Sequence, residues 1–433
     1  MHAMERRLMT RLVEWKENPH RKPLVLKGCR QTGKTWLMKE FGRLYFKNVA
    51  YINFDHNTRM QAVFRQDFDI PRILLAINAE TKVPVVPEET LIIFDEVQEA
   101  PEALTALKYF CENAGEYPVI AAGSLLGVAI HKKASFPVGK VNILNLYPLS
   151  FREFLMAMDE NTLLQALENR DHDMMSAFAP KLQDLLKNYY YVGGMPEAVQ
   201  RFLDTKDYMQ VRTVQKELIE LYESDFGKHI SENELPRVRM VWNSIPAQLA
   251  KENKKFFFGQ MKKGARSSEF EVAIEWLLDC GLIHKVNRVT KPAMPLKSYL
   301  DFPAYKLFLS VIGLLGAISD LDSGTLLDGN ALFTEFKGAL TEQYVLQQII
   351  SDTEYTPYYF TSENGRYEID FMIQKRGHVV PVEVKAEENL KSKSLRAFYD
   401  KYAPEEVVRI SMKEYREQDW MVNIPLYAVG MEL

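Results

Sequence analysis

Gly28-Cys29-Arg30-Gln31-Thr32-Gly33-Lys34-Thr35 follows the apolar run Leu24-Val25-Leu26 and precedes the helical pattern Trp36-Leu37-Met38-Lys39-Glu40-Phe41. The eight residues fit GxxxxGK[ST] at every fixed position, in the order strand, glycine-rich loop, helix. Glycines let main-chain N–H groups turn inward on a phosphate, and the helix N-terminus adds partial positive charge. Lys34 is then expected to reach the β- and γ-phosphates of a nucleotide, and the Thr35 hydroxyl to hold Mg²⁺. Gly28, Arg30, Gln31, Thr32 and Gly33 complete the loop around the ligand, expected to be ATP or ADP with Mg²⁺. A chance match in a glycine-containing turn is the alternative, and the flanking strand and helix argue against it.

Working outward, further β-rich runs lie at Val49–Phe54, Leu91–Asp95, Val119–Ala122 and Val141–Leu146. Most are apolar without strict alternation, as in parallel strands covered on both faces. The segments between them are mostly long enough for crossover helices, so the expected architecture is an α/β layer sandwich. Leu91-Ile92-Ile93-Phe94 ends in Asp95-Glu96, two carboxylates at the C-terminal end of a buried strand, where ligands bind in open α/β sheets. Asp95 is expected to hold Mg²⁺ through its water shell, and Glu96 to orient or deprotonate the attacking water. Ser124, after Ala121-Ala122-Gly123, is a candidate γ-phosphate sensor, although Gly-Ser is also an ordinary turn pair. Asn53 is a weaker candidate for restraining Glu96.

The whole chain has 433 residues, 47 % of them hydrophobic and 26 % charged, with a net charge of −4. This composition belongs to a globular protein and excludes a nucleic-acid-binding polyelectrolyte, while leaving room for a local basic surface. Cys29, Cys111 and Cys280 stand far apart with no CxxC pair, which argues against a disulfide framework or structural zinc and fits a reducing cytoplasm. The longest apolar stretch, Leu307 to Ile318, is too short to span a bilayer and includes Ser310, so no membrane segment is expected. Four segments are expected: an α/β core over 1–150, a helical lid over 151–232, a winged-helix-like domain over 233–310, and an α+β domain over 311–433. Leu321 to Asn330 reads as a linker or loop.

The chain resembles the AAA-type P-loop ATPases of bacteria and archaea that carry a C-terminal domain of unknown function. The resemblance rests on the loop at 28–35, Phe94-Asp95-Glu96-Val97-Gln98, Gly123-Ser124, Tyr147-Pro148-Leu149-Ser150-Phe151-Arg152-Glu153-Phe154, Gly193-Gly194-Met195-Pro196, and Lys337-Gly338-Ala339-Leu340-Thr341-Glu342. It implies ATP binding and hydrolysis. The pattern departs at Gly139-Lys140, where the family usually has Gly-Arg, and lysine cannot make a bidentate phosphate fork. Arg30 or Arg152 is the substitute to consider, and Arg152 reads better as a helix-surface residue. Relatives often form rings, but with the arginine finger unassigned the oligomeric state stays open.

In the second half, Val238 to Leu249, Phe258 to Lys262 and Ser267 to Cys280 read as three helical elements before the strand starting Leu282-Ile283-His284-Lys285-Val286, an order that resembles winged-helix domains. Pro246 should kink or end the first helix. Lys251, Lys254, Lys255, Lys262, Lys263 and Arg266 against Glu252 suggest a phosphate-contact surface. A solvated face or protein-interaction module is the simpler account, since Glu269, Glu271, Glu275 and Asp279 oppose groove insertion.

Near the C-terminus, a hairpin turning at Arg376-Gly377 sets Asp370 opposite Glu383, with Lys385 on the same face. Two facing acids are unfavourable unless bridged, for instance by a divalent ion, to which Glu342 would add a carboxylate. Asp370 with Glu383-Val384-Lys385 resembles the PD-(D/E)xK nuclease signature, giving a candidate second metal site of Glu342, Asp370, Glu383 and Lys385 in a restriction-endonuclease-like domain. An amphipathic hairpin with a Lys–Glu surface pair is the structural alternative. Three functions follow: an ATPase that drives or gates movement, an ATP-regulated Mg²⁺-dependent nuclease acting on DNA, or a nucleotide-gated switch for a protein partner. The first has the most complete set of residues.

Overall fold

The computed structural model describes residues 4–123, 136–251, 254–328, 334–386 and 392–433. The chain divides into two compact units. One comprises Glu5–Tyr147 with Glu275–Leu282, and the other Met1–Met4, Pro148–Ile274 and Ile283–Leu433.

The first unit is built on five parallel strands: β1 (Leu24–Lys27), β2 (Asn48–Asn53), β3 (Thr90–Asp95), β4 (Val119–Ala122) and β5 (Asn142–Asn145), in the order β2-β3-β4-β1-β5. Helices α1 (Leu8–Glu17), α2 (Lys34–Tyr45), α3 (Thr58–Gln66), α4 (Ile70–Thr81) and α5 (Pro101–Asn113) accompany the sheet. Successive strand residues point to opposite faces, and the apolar runs therefore feed two cores at once. Val25, Ile92, Phe94 and Ala121 pack with Phe54, Phe64 and Phe110. Leu24, Leu26, Leu91, Ile93 and Ile120 pack with Leu37, Met38 and Phe41 of α2. The five strands lie where the sequence reading puts them, within one residue or so at each end.

In the second unit, α6 (Phe151–Ala157), α7 (Asn161–Glu168), α8 (His172–Ala177), α9 (Ala179–Val192), α10 (Pro196–Thr205) and α11 (Tyr208–His229) lead to α12 (Leu235–Leu249) and α13 (Glu271–Asp279), whose last five residues cluster with the first unit. There follow β6 (Ile283–Val289), β7 (Leu300–Leu309), α14 (Ile312–Ile318), α15 (Ser323–Asp328), α16 (Thr334–Asp352), β8 (Tyr358–Thr361), β9 (Glu368–Lys375), β10 (His378–Val384), α17 (Lys393–Tyr402), β11 (Val408–Ser411), β12 (Arg416–Gln418), β13 (Met421–Pro425) and α18 (Val429–Glu432). The eight strands form one mixed sheet, ordered β12-β13-β11-β10-β9-β8-β6-β7.

This arrangement departs from the expected boundaries. β6 and β7 pair with each other and β6 also pairs with β8, so a cut at 310/311 would cross a continuous hydrogen-bonded sheet. The strand expected as a wing is thus an inner strand of the large sheet. The element expected over 258–262 is a 3₁₀ turn, Phe258–Gln260. α12 runs three residues past Pro246, where the missing N–H falls in the last turn and costs one hydrogen bond. The start of the expected linker holds the short helix α15. The helical segment 151–232 is tied to α16 by buried glutamines: Phe151 N–H donates to Gln348 Oε1 at 2.8 Å, and Gln347 Nε2 donates to the Tyr189 hydroxyl at 2.6 Å. Gln343 exchanges two hydrogen bonds with the backbone of Leu309, at 3.0 and 2.6 Å.

Candidate nucleotide site

The loop between β1 and α2 is shaped by its glycines. Gly28 has φ +154°, and a Cβ there would lie 2.3 Å from the Leu146 carbonyl oxygen, inside any tolerable contact. Gly33, at φ +91°, is the left-handed residue from which α2 starts. Arg6, which is buried, braces the loop from outside: its guanidinium donates to the Thr32 carbonyl at 2.8 Å and to the Tyr147 carbonyl at 2.5 Å. The Thr32 hydroxyl closes the turn on the Cys29 carbonyl at 2.8 Å.

Lys34 is buried and its ammonium donates to the Gly28 and Cys29 carbonyls, both at 2.8 Å. Burial pulls its pKa below the usual lysine value, opposed by the charges of Cys29, Glu96 and Asp95. Arg30 and Gln31 are exposed at the tip of the loop.

Parity along the strands brings the acids here. Leu91 and Ile93 face the core beneath α2, so Asp95, two further on, faces α2 as well. The Thr35 hydroxyl donates to Asp95 Oδ2 at 2.6 Å. Tyr51, on neighbouring β2, donates to the same oxygen at 2.9 Å. Lys39 lies over the Tyr51 ring, 3.7 Å from its centroid, and burial with the Asp95 charge raises the phenol's pKa. Glu96 adopts a left-handed conformation (φ +51°) that turns it out of the strand, with its N–H on Asp95 Oδ1 at 3.1 Å. Gln98 Nε2 donates to Glu96 Oε2 at 2.6 Å. Asn53, considered for that restraint, instead accepts from the Asp55 N–H at 2.8 Å.

The residues at 28–35 and Asp95-Glu96 are therefore brought together, while Ser124 lies outside the described residues. Arg6 and Tyr51 escaped the sequence reading, and Gln98 entered it only as part of a motif, without a role. Tyr51 had one usable signal, sharing strand parity with Asn53, but the β2–β3 pairing that gives it meaning is tertiary. Lys140 is paired with Glu112 at 2.9 Å, and Arg152 with Glu168.

Residues 20–155 match the AAA domain family. This segment is similar to AAA domains. Beyond that segment, residues 183–325 and 337–429 each match a domain of unknown function. Among solved structures, the chain is similar to the Walker-type ATPase PABY2304 of Pyrococcus abyssi (15 % identity, 73 % of this chain and 96 % of that one, TM-score 0.46). It is also similar to AMPPCP-bound DnaA from Aquifex aeolicus (13 %, 63 % and 86 %, TM-score 0.27) and to Cdc6p from Pyrobaculum aerophilum (14 %, 72 % and 91 %, TM-score 0.25). A search of curated proteins finds no match. No helix among the described residues is long and apolar enough to cross a membrane.

The C-terminal constellation has different chemistry from the loop at 28–35. The hairpin pairs His378 with Lys375 through Val382 with Phe371, a register that continues to Glu383 opposite Asp370. Asp370 Oδ2 accepts from the Val384 N–H at 2.8 Å, however, and Glu383 is paired with Lys385 at 3.1 Å. Glu342 is paired with Lys254 and lies 3.8 Å from Lys306, which itself pairs with Glu368 at 2.6 Å. Among the described residues no group of three or more His, Cys, Asp or Glu is placed to hold a metal ion. Of the residues expected as a second metal site, Glu342 is thus paired with Lys254, Glu383 with Lys385, and Asp370 holds a backbone N–H. Burial pushes the Asp370 carboxyl up to about 7, reinforced by Glu342 and opposed by Lys306 and Lys254. Burial acts the same way on Glu342, but Lys254 and Lys306 outweigh it and hold that carboxyl below its usual range.

Proposed function

We propose that the chain binds ATP with Mg²⁺ at the Gly28–Thr35 loop and hydrolyses it to drive or gate a conformational change. The observation that carries this reading is the 2.6 Å hydrogen bond from Thr35 to Asp95, which sets a hydroxyl and a carboxylate side by side next to Lys34. The Thr35 hydroxyl fits a direct oxygen ligand of a small hard cation and Asp95 a partner of its water shell, and the loop amides and the ammonium fit a polyphosphate. Mg²⁺, when bound, would neutralise phosphate charge. Lys34 would exchange its two loop carbonyls for phosphate oxygens, so its place on the loop is kept ready by partners it can give up. Glu96, turned out of β3 and oriented by Gln98, would accept a proton from the attacking water.

Calorimetry and a phosphate-release assay test this together. Lys34→Ala is expected to abolish ATP uptake. Glu96→Gln is expected to keep uptake within a few-fold and lose turnover by about a hundredfold or more. Equal turnover in wild type and Glu96→Gln would remove Glu96 as the base, and full ATP affinity in Lys34→Ala would remove the site.

A further inference from the structure

A cavity of about 670 Å³ opens in the second unit, where α9, α16 and the β11–β13 end of the large sheet meet. Lys187, Lys337, Arg409, Lys413 and Arg416 line it, with Glu414 as the one acid among the described lining residues, and Lys187 also pairs with Asp184 at 3.3 Å. Cationic side chains that converge on one concavity make its potential positive, because the low-dielectric walls focus the field, and a positive concavity attracts anions. The cavity is also built rather than incidental. Arg409, 4 % exposed, donates from Nε to Asn423 Oδ1 at 2.9 Å, and that oxygen also accepts from the Ser411 hydroxyl at 2.7 Å. Asn423 Nδ2 in turn holds the carbonyls of Lys413 and Glu414 at 3.2 and 2.8 Å, and Gln183 Nε2 holds that of Met412 at 3.1 Å. A buried polar network thus fixes the backbone that presents Lys413 and Arg416.

We propose that this cavity binds a small ligand carrying two or more phosphate groups, at a site separate from the Gly28–Thr35 loop. Its volume falls in the range of pockets that enclose nucleotide-sized molecules, roughly 300–1,000 Å³. Arginine donors suit phosphate oxygens, and the lysines add point charge. A nucleic-acid strand would instead call for cations spaced along an open groove. Here they converge on one space. Serving as one pole, the pocket abuts Ala386, next to the Glu383–Lys385 pair at the end of β10, so an anion bound there would alter the charge balance around Glu383.

The test is calorimetry on the full chain with inorganic tripolyphosphate, free of divalent ions, in a Lys34→Ala background that silences the loop. One equivalent is expected to bind. Adding Lys413→Glu with Arg416→Glu is expected to weaken it by about tenfold or more with an unchanged thermal midpoint. If the double reversal lowers the midpoint, Lys187→Gln with Lys337→Gln, both on helices, is expected to weaken binding in a folded chain. Absence of any uptake by Lys34→Ala overturns the proposal, as does unchanged affinity in both folded double variants. Uptake of a DNA oligonucleotide through these same lysines, without uptake of tripolyphosphate, overturns it in favour of a nucleic-acid surface. These results are independent of the Lys34 and Glu96 tests, which read the other unit.

Discussion

At Gly28 a methyl group would collide with the Leu146 carbonyl in a backbone conformation that side chains rarely adopt. Neither atom can yield cheaply, since one belongs to β1's exit and the other follows β5. Gly28→Ala is therefore expected to lower stability by about 1–3 kcal/mol and to weaken nucleotide uptake by distorting the loop. Chemical denaturation and calorimetry check the two effects, and an unchanged urea midpoint would show that the loop relaxes around the methyl group. Lys34 and Glu96 belong to the same scale. Each acts through one charged group whose replacement leaves the strand–loop–helix frame intact, which is why binding and turnover should separate between the two variants.

Helix α6 shows how elements are held. Ser150 Oγ accepts from the Glu153 N–H at 3.3 Å, and Glu153 Oε2 accepts from the Ser150 N–H at 3.2 Å, a reciprocal capping box. Both residues are buried, so no water can replace these bonds easily. Ser150→Ala is expected to cost about 1–2 kcal/mol, read as a fall in the thermal midpoint. A change within experimental error would mean that the packing of Phe151 and Phe154 alone fixes the helix start.

Across the second unit, the cluster of Asp370, Glu342, Glu368, Lys254 and Lys306 joins α16, β7, β9 and the segment after α12. Asp370 has a folded-state value of about 7 against an ordinary 3.8. Between those values the folded chain holds a proton that the unfolded chain has lost. The contribution of this group is thus fully present below about pH 4 and is lost as pH rises through about 7. Asp370→Asn keeps an oxygen for the Val384 N–H and cannot ionise. Its stability is therefore expected to fall less than that of wild type between pH 5 and pH 8, measured as the difference in urea midpoint. A parallel pair of pH curves would mean that Asp370 ionises in the folded chain at its ordinary pH.

The sequence by itself determined the features that depend on short spans: the five strands of the first unit, the loop at 28–35, the carboxylates closing β3, and the register of the β9–β10 hairpin, which a tight turn dictates. Period-two alternation and turn chemistry act over a few residues and can be read without knowing what packs where. Only the tertiary structure decided what lies beside each of these. Tyr51 reaches Asp95 because β2 neighbours β3, and Arg6 reaches Thr32 across 26 residues of chain. β6 becomes an inner strand because β8, some seventy residues later, pairs with it, merging segments that composition alone had separated. Lys254 and Lys306 meet Glu342 in the same way, so an acid that by its sequence context looked ready for a metal ion has cations beside it in the fold. Charge balance in a buried cluster depends on every element that packs around it, and no single stretch of sequence contains that information.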